Sequence, residues 1–478
     1  MSALDLSRWQ FGITTIYHFF MVPLTIGLSV LVAWFHTRWY RHGDDADLRL
    51  TKFFGKLFMI NFALGVATGI VEEFQFGMNW AGYSRFVGDV FGAPLAMEGL
   101  VAFFLESTFI GLWYFGWDRL RPGVHLATIW IAALGTWASA YFIIAANSFM
   151  QHPVGVRYNA ERGRAEMTSI WKILTNPTTL AAYPHVISAS LLTGAVFVGA
   201  VSAWYLARHR QPTDVERRGF QRALRTGIVV TLAAGAVVLV SGDAQARMMF
   251  EQQPMKMAAA EALCETEEAA GFSVFAVGDP SKSCDVRSMV IPGLLGFLAT
   301  GSFDGTVNGV NELQETYSER YGEGNYRPPI FITYWAFRGM IGFGIIGMLA
   351  SLWVVWRTRR HVSLGPARWR ARLSLAVIVT PFLANACGWI LTEMGRQPWV
   401  VAPNPTGELE VRLLTSEAVS VNVGAASVWV SMIGFTVLYG ALAVVELFLL
   451  LRYIGRGLDD DLVAPPPTDD GGTAALVY

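Results

Sequence analysis

Nine apolar stretches constrain this chain more than anything else in it, because each is roughly 20 residues long, the length a helix needs to cross about 30 Å of hydrocarbon. They fall at residues 11–36, 54–76, 94–116, 125–149, 183–206, 222–241, 331–356, 371–394 and 425–451. A segment surrounded by lipid must satisfy its backbone polar groups internally, so stretches of this kind predict helices. Only 15% of the residues are charged, against about a quarter in an ordinary soluble domain, which fits lipid as the main solvent. The first stretch is not followed by a small-residue cleavage site and a soluble domain, so it is expected to stay as a span. The expected fold class is all-α: a polytopic membrane helical bundle of about nine transmembrane helices. With 36 basic and 37 acidic residues there is no basic excess to attract nucleic acid.

Orientation follows from the basic residues between the spans. The segments after the first, third, fifth, seventh and ninth stretches carry Lys and Arg roughly three times more densely than the alternate segments, with Arg208, Arg217, Arg218, Arg357, Arg359 and Arg360 among them. This asymmetry places the N-terminus outside and the C-terminus in the cytoplasm of a cell whose inner membrane holds the protein. Residues 1–456 then form one membrane domain. The tail, 457–478, with Pro465, Pro466 and Pro467 beside Asp469 and Asp470, lacks the apolar surface to fold and is expected to be disordered.

The longest connection, 242–330, lies outside. Its Ala- and Glu-rich first part, 255–270, reads as a short polar helix, and its apolar run at 289–300 is too short to span and is expected to lie against the membrane surface or the core.

Ionisable and soft side chains inside apolar stretches are costly unless paired, liganded or facing water. His18, Glu98, Glu106, His185, Met394 and Glu446 are such residues. Haem iron takes axial ligands of these kinds, and His with Met closes both faces of the iron. Each also has a plain structural reading: a hydrogen-bonded histidine, a filler methionine, a carboxyl reaching the interface.

The blocks TTIYHFFMVP at 14–23, EFQFGMNW at 73–80, YSRFVGDVFG at 83–92, FFLESTF at 103–109 and GRQPW at 395–399 resemble the signature blocks of the cytochrome bd quinol oxidase subunit I family. The resemblance runs from the first span to the ninth. It implies the haem-carrying subunit of a heterodimer with subunit II, with small single-span accessory subunits, in a bacterial inner membrane. Three haems are implied: a low-spin haem b, a high-spin haem b and a chlorin-type haem d. The substrates implied are a membrane quinol, ubiquinol or menaquinol, and O2, which is reduced to water.

Carried over by position, the family's low-spin ligands fall on His185 and Met394, with Met340 in the block YWAFRGM as the competing sulfur ligand. The high-spin haems are served by His18 and Glu446, and Arg396 is placed to neutralise a propionate. Glu98 and Glu106, with Ser139 as a hydroxyl relay, are the expected proton carriers. Eight residues apart, the two carboxyls would sit about 80° from each other around an ideal helix. The long outer connection is the family's quinol loop, in which Lys256 and Glu261 would meet the quinol. Protons released outside and consumed from the cytoplasm build a gradient without a pump. Cys264 and Cys284, the two cysteines outside, are expected to form a disulfide, with Cys387 a buried thiol. A transporter using the same buried carboxyls and histidines as a relay is the alternative, and it leaves the pairing of His185 with Met394 and the GRQPW block unexplained.

Overall fold

The computed structural model describes residues 1–209, 211–279, 285–358 and 367–458. Among these, nine helices are long and apolar enough to cross a membrane. They are α1 (Ala3–His42), α2 (Asp45–Gly77), α3 (Ala81–Phe115), α4 (Pro122–Gln151), α5 (Pro177–Arg208), α6 (Asp214–Gln252), α7 (Ile330–Thr358), α8 (Arg368–Met394) and α9 (Ala425–Arg456). Every predicted span is present. The helices outrun the apolar stretches because polar residues cap them. Ser2 and Asp5 form a capping box at the start of α1, Gly43 ends it in a left-handed conformation, and Thr213 with Glu216 boxes the start of α6. Residues 83–92, expected to precede the third span, are helical and belong to α3.

Cross-helix contacts give the order of the bundle. Gln75 donates to Thr14, Asn61 to Met21, and His18 meets Thr68, so α1 and α2 are antiparallel. Tyr17 packs on Tyr439, and Ser431 donates to Gln10, so α9 runs parallel to α1. The most enclosed helix is α5, followed by α1, while α7 and α9 expose most of their length. Small residues let α1 and α5 meet backbone to backbone: a Cβ added at Gly194 would lie 2.7 Å from the backbone of Gly27. Close approach of this kind replaces the hydrophobic drive that helices lack in lipid.

At the end of the bundle with the basic connections, Leu28, Phe35, Phe54, Phe58, Trp113 and Phe220 form the main core. There the buried Asp47 meets Arg38 at 3.3 Å and Arg222 at 3.1 Å, tying α1, α2 and α6. The tail expected over 457–478 falls outside the described residues except for its first two. Leu458 is buried against the core and its carbonyl accepts from Arg49, so the chain is held up to that point.

At the opposite end the structure departs from an all-helical bundle. Among the described residues, three two-stranded antiparallel ribbons lie in the connections: Val156–Asn159 with Arg164–Met167, Phe272–Asp279 with Asp285–Ile291, and Trp399–Val401 with Leu413–Leu414. The apolar run at 289–300 divides into the end of one strand and the helix Leu294–Thr300. The long connection is shorter than expected, since α6 continues to Gln252. Its first helix is Pro254–Glu261, stopped by Ala262 at φ 50°. That helix is not solvated: Met255, Ala258 and Ala259 pack under Val310 and Leu313 of the helix Val310–Tyr321 and against Ile330 of α7.

Candidate functional site

Two partly buried histidines have the same chemistry. His18 on α1 places Nδ1 2.9 Å from the Thr68 hydroxyl of α2, and His185 on α5 places Nδ1 3.3 Å from the Ser241 hydroxyl of α6. Both hydroxyls donate their own proton to carbonyls one turn back, Thr68 to Leu64 and Ser241 to Val237. Each hydroxyl oxygen is therefore left to accept from Nδ1–H, which leaves the Nε2 lone pair free on both rings. A metal-binding histidine is oriented by the same kind of hydrogen bond at its second nitrogen. Gly69 gives the His18 ring room, since a Cβ there would stand 3.1 Å from Cε1.

Met394 is the last residue of α8. Asn385 of α8 donates to Thr193 of α5 at 2.9 Å, and from that contact Met394 lies nine residues and His185 eight toward the same end of the bundle (394 − 385 and 193 − 185). The two therefore share a level. Met340 stands ten residues inside α7 (340 − 330), against Gly388 and among Ala336, Phe337 and Leu391.

Glu446 is buried on α9. Because α9 begins at Ala425 as expected and Tyr439 is level with Tyr17, Glu446 lies two turns, about 10 Å, beyond the level of His18 toward the basic end.

Glu98 and Glu106 on α3 both bond to α4. Ser139 donates to Glu98 at 2.6 Å, and Thr136, one turn away on α4, donates to Glu106 at 3.1 Å. Gly135 lets the backbone of Glu106 come within 3.0 Å of where a Cβ would be. The result is a two-rung polar ladder along the α3–α4 seam. Its phase is not that of an ideal helix, because Glu98–Phe103 is a π-helical turn. Turns of that kind are frequent at functional sites. Sequence reasoning found Ser139 and missed Thr136. It also missed Glu72 of α2, which accepts from Thr15 at 2.6 Å.

The third group lies in the long connection. Lys256 is 1% exposed and Glu261 4%, on the helix Pro254–Glu261. Burial pulls the Lys256 ammonium down to about 7; nearby Arg396 adds to this and Glu393 opposes it. Burial pushes the Glu261 carboxyl up to about 7 against the pull of Arg338, whose guanidinium pairs with it at 2.6 Å. Arg338 also donates to the carbonyls of Ala260 and Ser273, so it ties this helix and the following strand to α7.

Lys256 donates to Gln151 of α4 at 3.1 Å, Asn147 of α4 donates to Glu393 of α8 at 2.9 Å, and Arg396 pairs with Glu393. Arg396 is 4% exposed, and its Nε and Nη1 have no hydrogen-bond partner among the described residues. A buried cation with two unused donors fits an anionic group of a bound cofactor. Sequence reasoning missed Arg338, Gln151, Asn147 and Glu393. Arg338 and Glu393 carried a signal, as ionisable residues within apolar stretches.

Cys387 is a free thiol on α8, as expected, but it is partly exposed rather than buried. Cys284 lies outside the described residues, so the expected pairing with Cys264 is not described.

The family profile described as cytochrome bd terminal oxidase subunit I matches residues 6–458. The chain is 45% identical to cytochrome bd ubiquinol oxidase subunit 1 of Bacillus subtilis over 96% of this chain and 95% of that protein. It is 36% identical to cytochrome bd-II ubiquinol oxidase subunit 1 of Escherichia coli over 95% of this chain and 96% of that protein. Its fold matches the solved structure of bd oxidase from Geobacillus thermodenitrificans with a TM-score of 0.81 at 26% identity, covering 95% of this chain and 99% of the other.

Proposed function

The chain belongs to the cytochrome bd terminal oxidase subunit I family, and from that membership we propose that it is the haem-carrying subunit of a quinol:oxygen oxidoreductase in a bacterial plasma membrane. It works with a subunit II, oxidises a membrane quinol at the end bearing the long connection, and passes the electrons inward to reduce O2 to water. The observation that carries this reading is the pair of partly buried histidines inside the bundle, each with Nδ1 hydrogen-bonded to a hydroxyl of the neighbouring helix. When bound, haem supplies the one-electron steps and an open iron position for oxygen.

His185 and a methionine hold the low-spin haem b, a closed pair suited to electron transfer alone. Met394, level with His185, is the first choice, and Met340 is a second reading, favoured by its place inside a span rather than at a helix end. Arg396 neutralises a propionate through its two unused donors. His18 and Glu446 would serve the high-spin haem b and haem d. Glu98, Ser139, Glu106 and Thr136 carry protons along the α3–α4 seam from the basic, cytoplasmic end. The N-terminus and the long connection face outside.

At the quinol, Glu261 accepts a hydroxyl proton and Lys256 orients the head group. Glu261 acts as a base only when ionised, above about 7, and Lys256 carries its charge only below about 7. Quinol oxidation is therefore expected to follow a bell centred near pH 7. Glu261→Gln is expected to slow it by about 10²-fold and to abolish the acid limb, while a soluble artificial donor still drives oxygen consumption. Quinol turnover and pH profile unchanged in Glu261→Gln would remove Glu261 from the reaction.

Cys264 and Cys284 form a disulfide in this account, stabilising the loop by roughly 3 kcal/mol in the chain-entropy picture. Mass spectrometry of unreduced protein is expected to find the two linked, and Cys264→Ser to weaken quinol oxidation with the haem spectra intact. Two free thiols in the unreduced protein would dismiss the bond.

A further inference from the structure

We propose that Gln151 is a positioning residue of quinol oxidation: its side-chain carbonyl fixes the Lys256 ammonium at the quinol, and through Asn147 it joins that lysine to the Glu393–Arg396 pair at the C-terminal end of α8. The inference rests on the reading of Lys256 as the quinol's contact, and it adds the groups that hold the lysine in place.

Gln151 is the last residue of α4 and is 4% exposed. Its Oε1 accepts from Lys256 Nζ at 3.1 Å and from Gln253 Nε2 at 3.0 Å. Its own Nε2 donates to Asn147 Oδ1 at 3.5 Å, and Asn147 Nδ2 donates to Glu393 Oε1 at 2.9 Å. The side chain is thus oriented at both ends, which assigns its oxygen to the lysine without an amide-flip ambiguity. A four-carbon stem leaves an ammonium many positions, and a buried one needs its few acceptors already in place. Gly395 narrows the choice, because the stem of Lys256 passes where a Cβ on that residue would be, with Cγ at 2.7 Å. The stem is therefore held by α8 and the ammonium by α4, so the loop helix docks its lysine between two membrane helices.

The chain also explains why Glu393 accepts from both Asn147 and Arg396. One carboxylate closes the hydrogen-bond sequence begun at Lys256 and leaves the remaining donors of Arg396 free. Quinol contact and the Arg396 end of α8 are then parts of one hydrogen-bonded network.

The test uses the assembled oxidase in membranes. Four readouts are compared: KM and kcat for a quinol, oxygen consumption from a soluble one-electron donor, and the reduced spectrum. Gln151→Leu removes the acceptor and is expected to raise KM about tenfold or more, as for a lost hydrogen bond to a charged group, with the soluble-donor rate and the spectrum unchanged. Gln151→Glu keeps an acceptor at the same reach and is expected to hold KM within about threefold of the parent. Lys256→Met is measured beside them. If Lys256→Met raises KM but Gln151→Leu does not, or if Gln151→Glu is as defective as Gln151→Leu, the positioning role is overturned while the quinol reading stands. If Lys256→Met leaves KM unchanged, the quinol reading itself fails.

Discussion

His185→Ala is expected to remove the low-spin haem b band from the reduced spectrum while carbon monoxide still binds at the other centre. The ring sits between α5 and α6 with Nδ1 on Ser241, on different helices from His18 and Glu446. Nothing in that separation requires the second centre to collapse. Loss of the band abolishes quinol-driven oxygen consumption, because the electron has no first acceptor. Met394→Leu and Met340→Leu, each close in volume to the parent, complete the assignment: the one that turns the low-spin centre high-spin identifies the sulfur ligand. Equal loss of every haem in His185→Ala, with the protein still folded, would contradict the placement of His185 on one haem alone.

Glu106→Gln is expected to keep all haem bands and to cut oxygen reduction about 10²-fold or more, the range for loss of a general acid–base group. Glutamine keeps the shape and can still accept from Thr136, whose hydroxyl meets the carboxyl at 3.1 Å, but it cannot release a proton. Glu106 is buried against Gly135 on the α3–α4 seam, and Glu98 with Ser139 forms the neighbouring carboxyl–hydroxyl rung. Thr136→Val is expected to have a smaller effect of the same sign, since the carboxyl remains and loses one donor. Full turnover in Glu106→Gln would leave it as a packed, hydrogen-bonded carboxyl.

The nine spans were legible because a run of about 20 apolar residues has few other solutions. Their ends were not, since capping by Ser2, Gly43 or Thr213 lies outside the apolar signal. The singly placed histidines were visible as ionisable residues in apolar runs, but not their hydroxyl partners: Thr68 and Ser241 come from other helices, 50 and 56 residues away. The spacing of Glu98 and Glu106 suggested one broad face, and the π-helical turn that resets the phase between them leaves no pattern in composition. Burial of Lys256 and Glu261 was the least legible feature. A polar eight-residue helix reads as solvated, and only the cover supplied by Val310, Leu313 and α7 makes it otherwise. Arg338, Gln151 and Glu393 followed the same rule, because each matters through a partner that is distant in sequence.

The central claim is that these enclosed residues hold haem for a quinol oxidase. A pyridine haemochrome spectrum of the purified complex, with extraction of the pigments, tests it most directly. The account predicts three haems for each copy of this chain, two extracting as protohaem and one as a chlorin. A colourless protein that yields no haem would contradict it and would return the buried carboxyls and histidines to a transporter's proton relay.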